Sequence, residues 1–213
     1  MLSKLLLILF SCFIWSFSSA QDSISFHHIR VSGNKKTKTH IILRELDIKK
    51  HQNYALKDTA ELFDINRNKI FNTKLFNFVN LIVSADSITI KVEERWYIFP
   101  SPIFDVGDRN FNEWWTDRGR DPSRLIYGIH MKHNNFRGRN ERLNLKLQFG
   151  FIRTFQLDYR IPYIDKNQKI GLNVQASYSN NRTVSFRTTD QKLEYVESES
   201  LLRERRKFGL AVL

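Results

Sequence analysis

Between Leu125 and Leu213 apolar and polar residues alternate with period two in strand-length segments. In Leu143-Asn144-Leu145-Lys146-Leu147-Gln148-Phe149-Gly150-Phe151 every odd position is apolar and every even one is polar or glycine. The same split, phase-shifted, runs through Ile170 to Tyr178 and again through Phe155 to Ile161. Strands of this kind have one oily and one wet face. Segments of about ten residues with this pattern, separated by turns, are the sequence signature of a transmembrane β-barrel. Residues 125–213 are therefore expected to form roughly the first six strands of one. Odd positions of Leu143 to Phe149 are expected to meet lipid. Aromatic residues at strand ends, Phe136, Phe151, Tyr159, Tyr163 and Tyr178, fit an interfacial girdle.

Ahead of the alternating region the periodicity changes. Ser25 to Val31 reads as a strand closed by Gly33-Asn34, after which Thr37 or Thr39 caps a short helix through Leu46. A second helix shows Leu56, Ala60, Phe63, Ile70 and Phe71 at helical spacing, with Leu62 and Ile65 widening the stripe. Phe76 to Val83 and Ser87 to Glu94 then form a hairpin across Ser84-Ala85-Asp86. The expected order is β-α-α-β-β in residues 21–96, with 97–124 as a linker leading into the barrel. In that linker, Asp108-Arg109 and Asp117-Arg118 are candidate ion pairs.

The first twenty residues set the compartment. Lys4, the apolar run from Leu5 to Trp15 and the small-residue site Ser18-Ser19-Ala20 predict a signal peptide, residues 1–20, cleaved before Gln21. The one cysteine, Cys12, leaves with it, so no disulfide is expected. The formal charge of +12 would suggest nucleic acid in a cytosolic protein. In an exported one it reads as lumen and loop charge, or contact with anionic headgroups, and no nucleic-acid partner is expected. Arg203-Glu204-Arg205-Arg206-Lys207 reads as a solvated loop. The last alternating segment runs into Leu213, so the chain reads as the N-terminal portion of a longer protein.

The β-α-α-β-β order, with the phrase from Asn72 to Leu81, resembles a POTRA domain. The likeness continues through Glu94-Arg95-Trp96-Tyr97, Phe99-Pro100-Ser101-Pro102, Asp108 to Trp115, Tyr127-Gly128, Asn135-Phe136-Arg137-Gly138 and the Tyr159 to Asp165 phrase. In that order these motifs are similar to the BamA-type outer-membrane assembly factors, in a form with a single POTRA leading directly into the barrel. On this reading Asn135 to Gly138 follows the first barrel strand, and the Tyr159 phrase lies between the third and fourth.

The resemblance implies an α+β POTRA domain in the periplasm followed by antiparallel strands of a barrel that is incomplete here. It implies assembly or insertion of outer-membrane proteins for the complete protein. The strand order one-three-two it implies makes Phe76, Asn77, Phe78, Val79, Asn80, Leu81, Ile82 and Val83 a free edge, where an unfolded client adds by β-augmentation. Side chains of Phe76, Phe78 and Leu81 are expected in the core or a turn. Tyr127, Gly128, Ile129, His130 and Met131 would be the first barrel strand and one side of a lateral seam, with Gly128 loosening it. Expected partners are unfolded outer-membrane proteins, outer-membrane lipid and accessory assembly subunits.

Two alternatives use the same residues. One is a two-partner-secretion-type translocation pore, or a surface antigen without insertase activity. The other is a soluble periplasmic binding protein in which the alternating segments form a β-sandwich. Enzyme chemistry is not expected: no phosphate loop or nucleophile elbow is present, and the six histidines form no ligand set. No catalytic residue, metal or cofactor is assigned.

Overall fold

The computed structural model describes residues 23–84, 86–165, 169–189, 192–198 and 200–213. The predicted signal peptide, with Cys12, lies outside the described residues. The N-terminal unit comprises β1 (Ser23–Ser25), β2 (His28–Ser32), α1 (Thr39–Leu43), β3 (Asn53–Ala55), α2 (Thr59–Asn72), β4 (Phe76–Ser84) and β5 (Ser87–Glu94). Strands β1 and β3 form a short ribbon, while β2, β5 and β4 form a three-stranded sheet in that spatial order. Strand β5 pairs parallel with β2 and antiparallel with β4. The order among the three is thus one-three-two, as the resemblance implies.

The period-two pattern of β5 buries Ile88, Ile90 and Val92 beneath the helices. Ile41 and Ile42 of α1, Ile70 of α2, Leu75, Phe76, Val79 and Tyr97 close the main core around Ile90 and Val92. Phe26, Ile48 and Ile88 make a smaller cluster with Leu62 and Phe63 against it. The helical stripe is narrower than the spacing predicts, since Leu56, Ile65 and Phe71 are exposed. Asn66, by contrast, is fully buried, because its carbonyl accepts the Asp47 N–H at 2.7 Å and its amide donates to the Leu62 carbonyl at 2.7 Å. Helix α1 ends at Leu43, and Lys38 precedes it without a side-chain cap. Thr37 therefore does not cap this helix; its hydroxyl is used elsewhere.

The second unit is a six-stranded antiparallel sheet. Its strands are β6 (Ile98–Val106), β7 (Leu125–Phe136), β8 (Glu141–Gly150), β9 (Arg153–Ile161) and β10 (Leu172–Asn181), then, after a hairpin of β11 (Thr183–Thr189) and β12 (Lys192–Glu197), β13 (Arg203–Val212). Residues 97–124, expected as linker and barrel entry, hold the first strand of this sheet and a loop at the end far from the POTRA-like unit. Pro100 and Pro102 hide β6 in the sequence, because proline reads as a strand breaker except at an edge. The Arg203 to Lys207 cluster is likewise strand, the start of β13, and not loop. The Asn135 to Gly138 motif follows the second strand of the sheet, and the Tyr159 phrase closes the fourth.

Register makes the two faces continuous. Pro100, Met131, Leu145, Leu157, Ala176 and Phe208 lie in one cross-strand row, and Pro102, Ile129, Leu147, Phe155, Tyr178 and Arg206 in the next. The opposite face carries rows such as Ser101, His130, Lys146, Gln156, Ser177 and Lys207. Ile129, Leu157, Phe208, Leu210 and Val212 are exposed on the apolar face. A β-sandwich would cover that face with a second sheet, and none lies on it among the described residues.

Candidate functional site: two sheet edges and the junction between them

Strand β4 is an edge of the N-terminal sheet, paired with β5 alone. The Arg95 N–H donates to the Leu75 carbonyl at 3.0 Å, and a bulge at Asn77 follows, where Phe76 faces Glu94 and Phe78 faces Glu93. Beyond the bulge the hydrogen-bonded positions are Phe78, Asn80, Ile82 and Ser84. Val79, Leu81 and Val83 then point their N–H and C=O groups away from the sheet. Phe76 is core and Leu81 packs against it, but Phe78 is 69% exposed and stands with Ile82 on the outer side of the strand. Phe78 is thus neither a core nor a turn residue.

The edges of the larger sheet are β6 and β13, and the first of these, not Tyr127 to Met131, adjoins the POTRA-like unit in the chain. Strand β7 is paired on both sides, with β6 and with β8. Gly128 is a packing requirement there, since a Cβ would come 2.1 Å from the Leu147 carbonyl oxygen. On β6 the odd positions bond to β7, as the Asn134 N–H to Tyr97 carbonyl bond at 2.8 Å and the Gly107 N–H to Arg124 carbonyl bond at 2.7 Å bracket the register. Ile98, Pro100, Pro102, Phe104 and Val106 face the open edge. Two of these are prolines without an N–H. The Val106 N–H donates to the Asp105 carboxylate at 2.9 Å, and the Ile98 carbonyl accepts the Trp96 indole N–H. The edge is rich in acceptors and poor in donors, a composition that discourages indiscriminate pairing. Replacing both prolines by threonine is expected to restore two donors and raise the self-associated fraction seen by sedimentation in detergent. An unchanged monomer would show that the prolines do not guard this edge.

The two edges are held in one frame by a chain of side-chain bonds. Asn135 Nδ2 donates to Thr37 Oγ1 at 2.8 Å, Thr37 Oγ1 lies 3.1 Å from the Tyr97 phenol oxygen, and that phenol donates to the Leu75 carbonyl at 2.9 Å. Because the Tyr97 proton is committed to Leu75, Thr37 donates to Tyr97 while accepting from Asn135. Burial raises the Tyr97 pKa above its ordinary value, opposed by the Thr37 bond and assisted by the Glu94 charge. Glu94 accepts the backbone N–H groups of Lys36 at 3.0 Å and Thr37 at 2.6 Å. Gly138, with φ +72°, lets the turn after β7 lie against this loop, and its carbonyl accepts the Lys38 N–H at 2.9 Å.

At the far end, Asp108 is buried and bonded through both oxygens to Arg124, with 2.9 Å to Nε. Arg118 lies 3.8 Å from the same carboxylate. Asp108 therefore has partners other than the neighbouring Arg109 expected from sequence. Tyr195, on the β11–β12 hairpin, stacks 4.2 Å over the Arg124 guanidinium and donates to the Gly107 carbonyl at 3.1 Å. Burial lowers the Arg124 pKa, but the Asp108 carboxylate outweighs it and leaves the guanidinium above its ordinary value. Trp114 and Trp115 sit in this loop with Phe111, far from the β4 edge. Phe151 also belongs here, 5.5 Å from Arg124. Phe136 packs against Tyr159 and Phe155 against Tyr178, nearer opposite ends of the sheet.

Residues 24–95 match the family model described as POTRA, surface antigen variable number repeat. No curated protein matches the chain. Among solved structures, BamA from Haemophilus ducreyi lacking POTRA domains 1-3 is similar at 18% identity and a TM-score of 0.54, over 89% of this chain and 32% of that one. CdiB from Escherichia coli is similar at 11% identity and a TM-score of 0.36, over 92% of this chain and 56% of that one. The chain spans about a third of the BamA structure's length. Residues 24–95 are a POTRA domain, and the chain has the fold seen in that BamA structure, in which such a domain leads into the antiparallel strands of a β-barrel sheet.

Proposed function

We propose that this chain receives unfolded outer-membrane polypeptides at its POTRA edge and delivers them to a barrel, as the N-terminal part of an outer-membrane assembly factor. The observation that carries the reading is the β4 edge. Its outward N–H and C=O groups at Val79, Leu81 and Val83 adjoin exposed Phe78 and Ile82. Main-chain bonds to such an edge tolerate many sequences, and alternate side chains of an incoming strand find apolar contacts. The uncovered apolar face of the larger sheet suits lipid, and its polar face suits a lumen. The POTRA domain then lies in the periplasm, and the Asp108–Arg124 loops lie outside the cell.

The geometry also selects the test. Asn80 donates into the sheet, so proline there disrupts the domain, and Val79 is only 9% exposed, so proline there removes a core side chain. Val83 donates outward and is exposed. Val83→Pro is expected to leave the circular dichroism of the purified protein unchanged. Crosslinking from a photoreactive residue at Phe78 to unfolded barrel proteins is expected to fall roughly threefold to tenfold, the equivalent of one net hydrogen bond, with client assembly falling in parallel. Full crosslinking and assembly by a folded Val83→Pro protein would remove the edge as the receiving site. Crosslinks to a secreted, non-barrel polypeptide instead would make the protein a translocation pore.

A further inference from the structure

A cleft of about 540 Å³ lies between the POTRA domain and the near rim of the barrel sheet, lined by Arg44, Glu45, Asp47 and Lys69 on one side and Arg142 and Arg160 on the other. Arg142 and Arg160 are directly opposite each other on β8 and β9. Like charges in that position are destabilising. Neither has an ion-pair partner among the described residues. Lys69 and Asp47, in contrast, satisfy each other at 2.5 Å.

Arg44 adds a second, independent observation. Its side chain is 12% exposed, its Nε bonds Glu45 at 3.0 Å, and its guanidinium stacks 4.8 Å from the Tyr163 ring. Its Nη2 is nevertheless buried without a hydrogen-bond partner. The Arg44 charge is therefore held in place at the cleft wall, where it strengthens the attraction for an anion in the cleft. The cleft opens on the polar face of the sheet, opposite the rows of Leu145 and Leu147, so a lipid tail has no apolar surface to follow.

We propose that this cleft binds carboxylate side chains of an acidic polypeptide segment passing from the POTRA domain toward the barrel interior. Arg142 and Arg160 form the clamp, and Arg44, held by Glu45 and Tyr163, adds its positive charge from the cleft wall. The assignment rests on the assembly reading above for its occupant, but its test does not use the β4 edge. The probe is a fluorescein-labelled peptide of repeated glutamate-proline-proline, which cannot add to a sheet because either side of the extended chain offers an N–H only at every sixth residue.

Fluorescence anisotropy with the whole detergent-solubilised protein at low salt is expected to show binding that weakens as salt rises. In the Arg142→Gln/Arg160→Gln protein the Kd is expected to rise about tenfold or more, the scale of about 1.4 kcal/mol. The charge-matched Arg203→Gln/Arg205→Gln protein, altered on the polar face at the far end of the sheet, is expected to bind as the parent does. Near-ultraviolet circular dichroism confirms the fold of each. Equal affinity in both variants overturns the clamp, as does an equal loss in both, which would be general electrostatics. Full displacement of the peptide by millimolar inorganic phosphate would assign a small-oxyanion site and overturn the polypeptide assignment. None of these outcomes bears on Val83→Pro.

Discussion

Arginine at Leu145 is expected to destabilise the barrel by about 2–4 kcal/mol in a bilayer, while arginine at the adjacent Asn144 costs little. Leu145 lies in β8 with Met131 on one side and Leu157 on the other, in the middle of the apolar rows. Asn144 sits between Lys132 and Asp158, where another charge joins charges already present. The difference arises because a lipid-facing guanidinium near the midplane loses its hydration, whereas one on the lumen side keeps it. Denaturant unfolding in lipid vesicles measures both. Equal costs at the two positions would mean that β8 does not span a membrane, and the outer-membrane reading would fall with it.

The strands most legible in the sequence are those whose alternation is unbroken. Leu143 to Phe149, Phe155 to Ile161 and the run to Tyr178 declare both their length and their facing, because one residue of slip would move every leucine to the wet face. β6 was hidden by chemistry that is itself structural: Pro100 and Pro102 break a propensity pattern but suit an edge whose outward positions need no donor. Arg203 to Lys207 looked like a loop because charge was read without its partner. In the fold, Arg203, Arg205 and Lys207 align with Asn181, Ser179 and Ser177 on the polar face. The bulge at Asn77 similarly shifts the register of β4, so the outward-donating residues could not be separated from the inward ones by counting alone.

The junction was illegible for a different reason. Thr37 and Asn135 are 98 residues apart, and their bond depends on where two turns meet. Read locally, Thr37 is a plausible cap for the helix beginning at Thr39. Tertiary contact redirects its hydroxyl to Tyr97 and Asn135, and Glu94 takes up the loop's free N–H groups instead. The motif from Asn135 to Gly138 was visible as a turn, but its docking surface was not. Asn135 and Gly138 both adopt positive φ, so the turn presents its carbonyl and amide groups to the Lys36 to Lys38 loop.

Gly138→Ala is therefore expected to unlock the POTRA domain from the barrel, at a cost of about 3 kcal/mol. Part of this is the left-handed backbone, about 1–2 kcal/mol for any residue with a Cβ. The remainder comes from the new Cβ, which would stand 2.1 Å from the Lys36 carbonyl oxygen and push the turn away. Displacement breaks the Lys38 N–H to Gly138 bond and strains the Asn135 to Thr37 bond. Gly119→Ala isolates the two contributions, since Gly119 has φ +62° but nothing within 4 Å of its added Cβ. That variant is expected to lose only the backbone share. Amide hydrogen exchange at Lys38 reports the junction directly: it should accelerate in Gly138→Ala and stay at the parent rate in Gly119→Ala. Equal stability losses with slow exchange at Lys38 in both would show that the turn does not hold the two domains together.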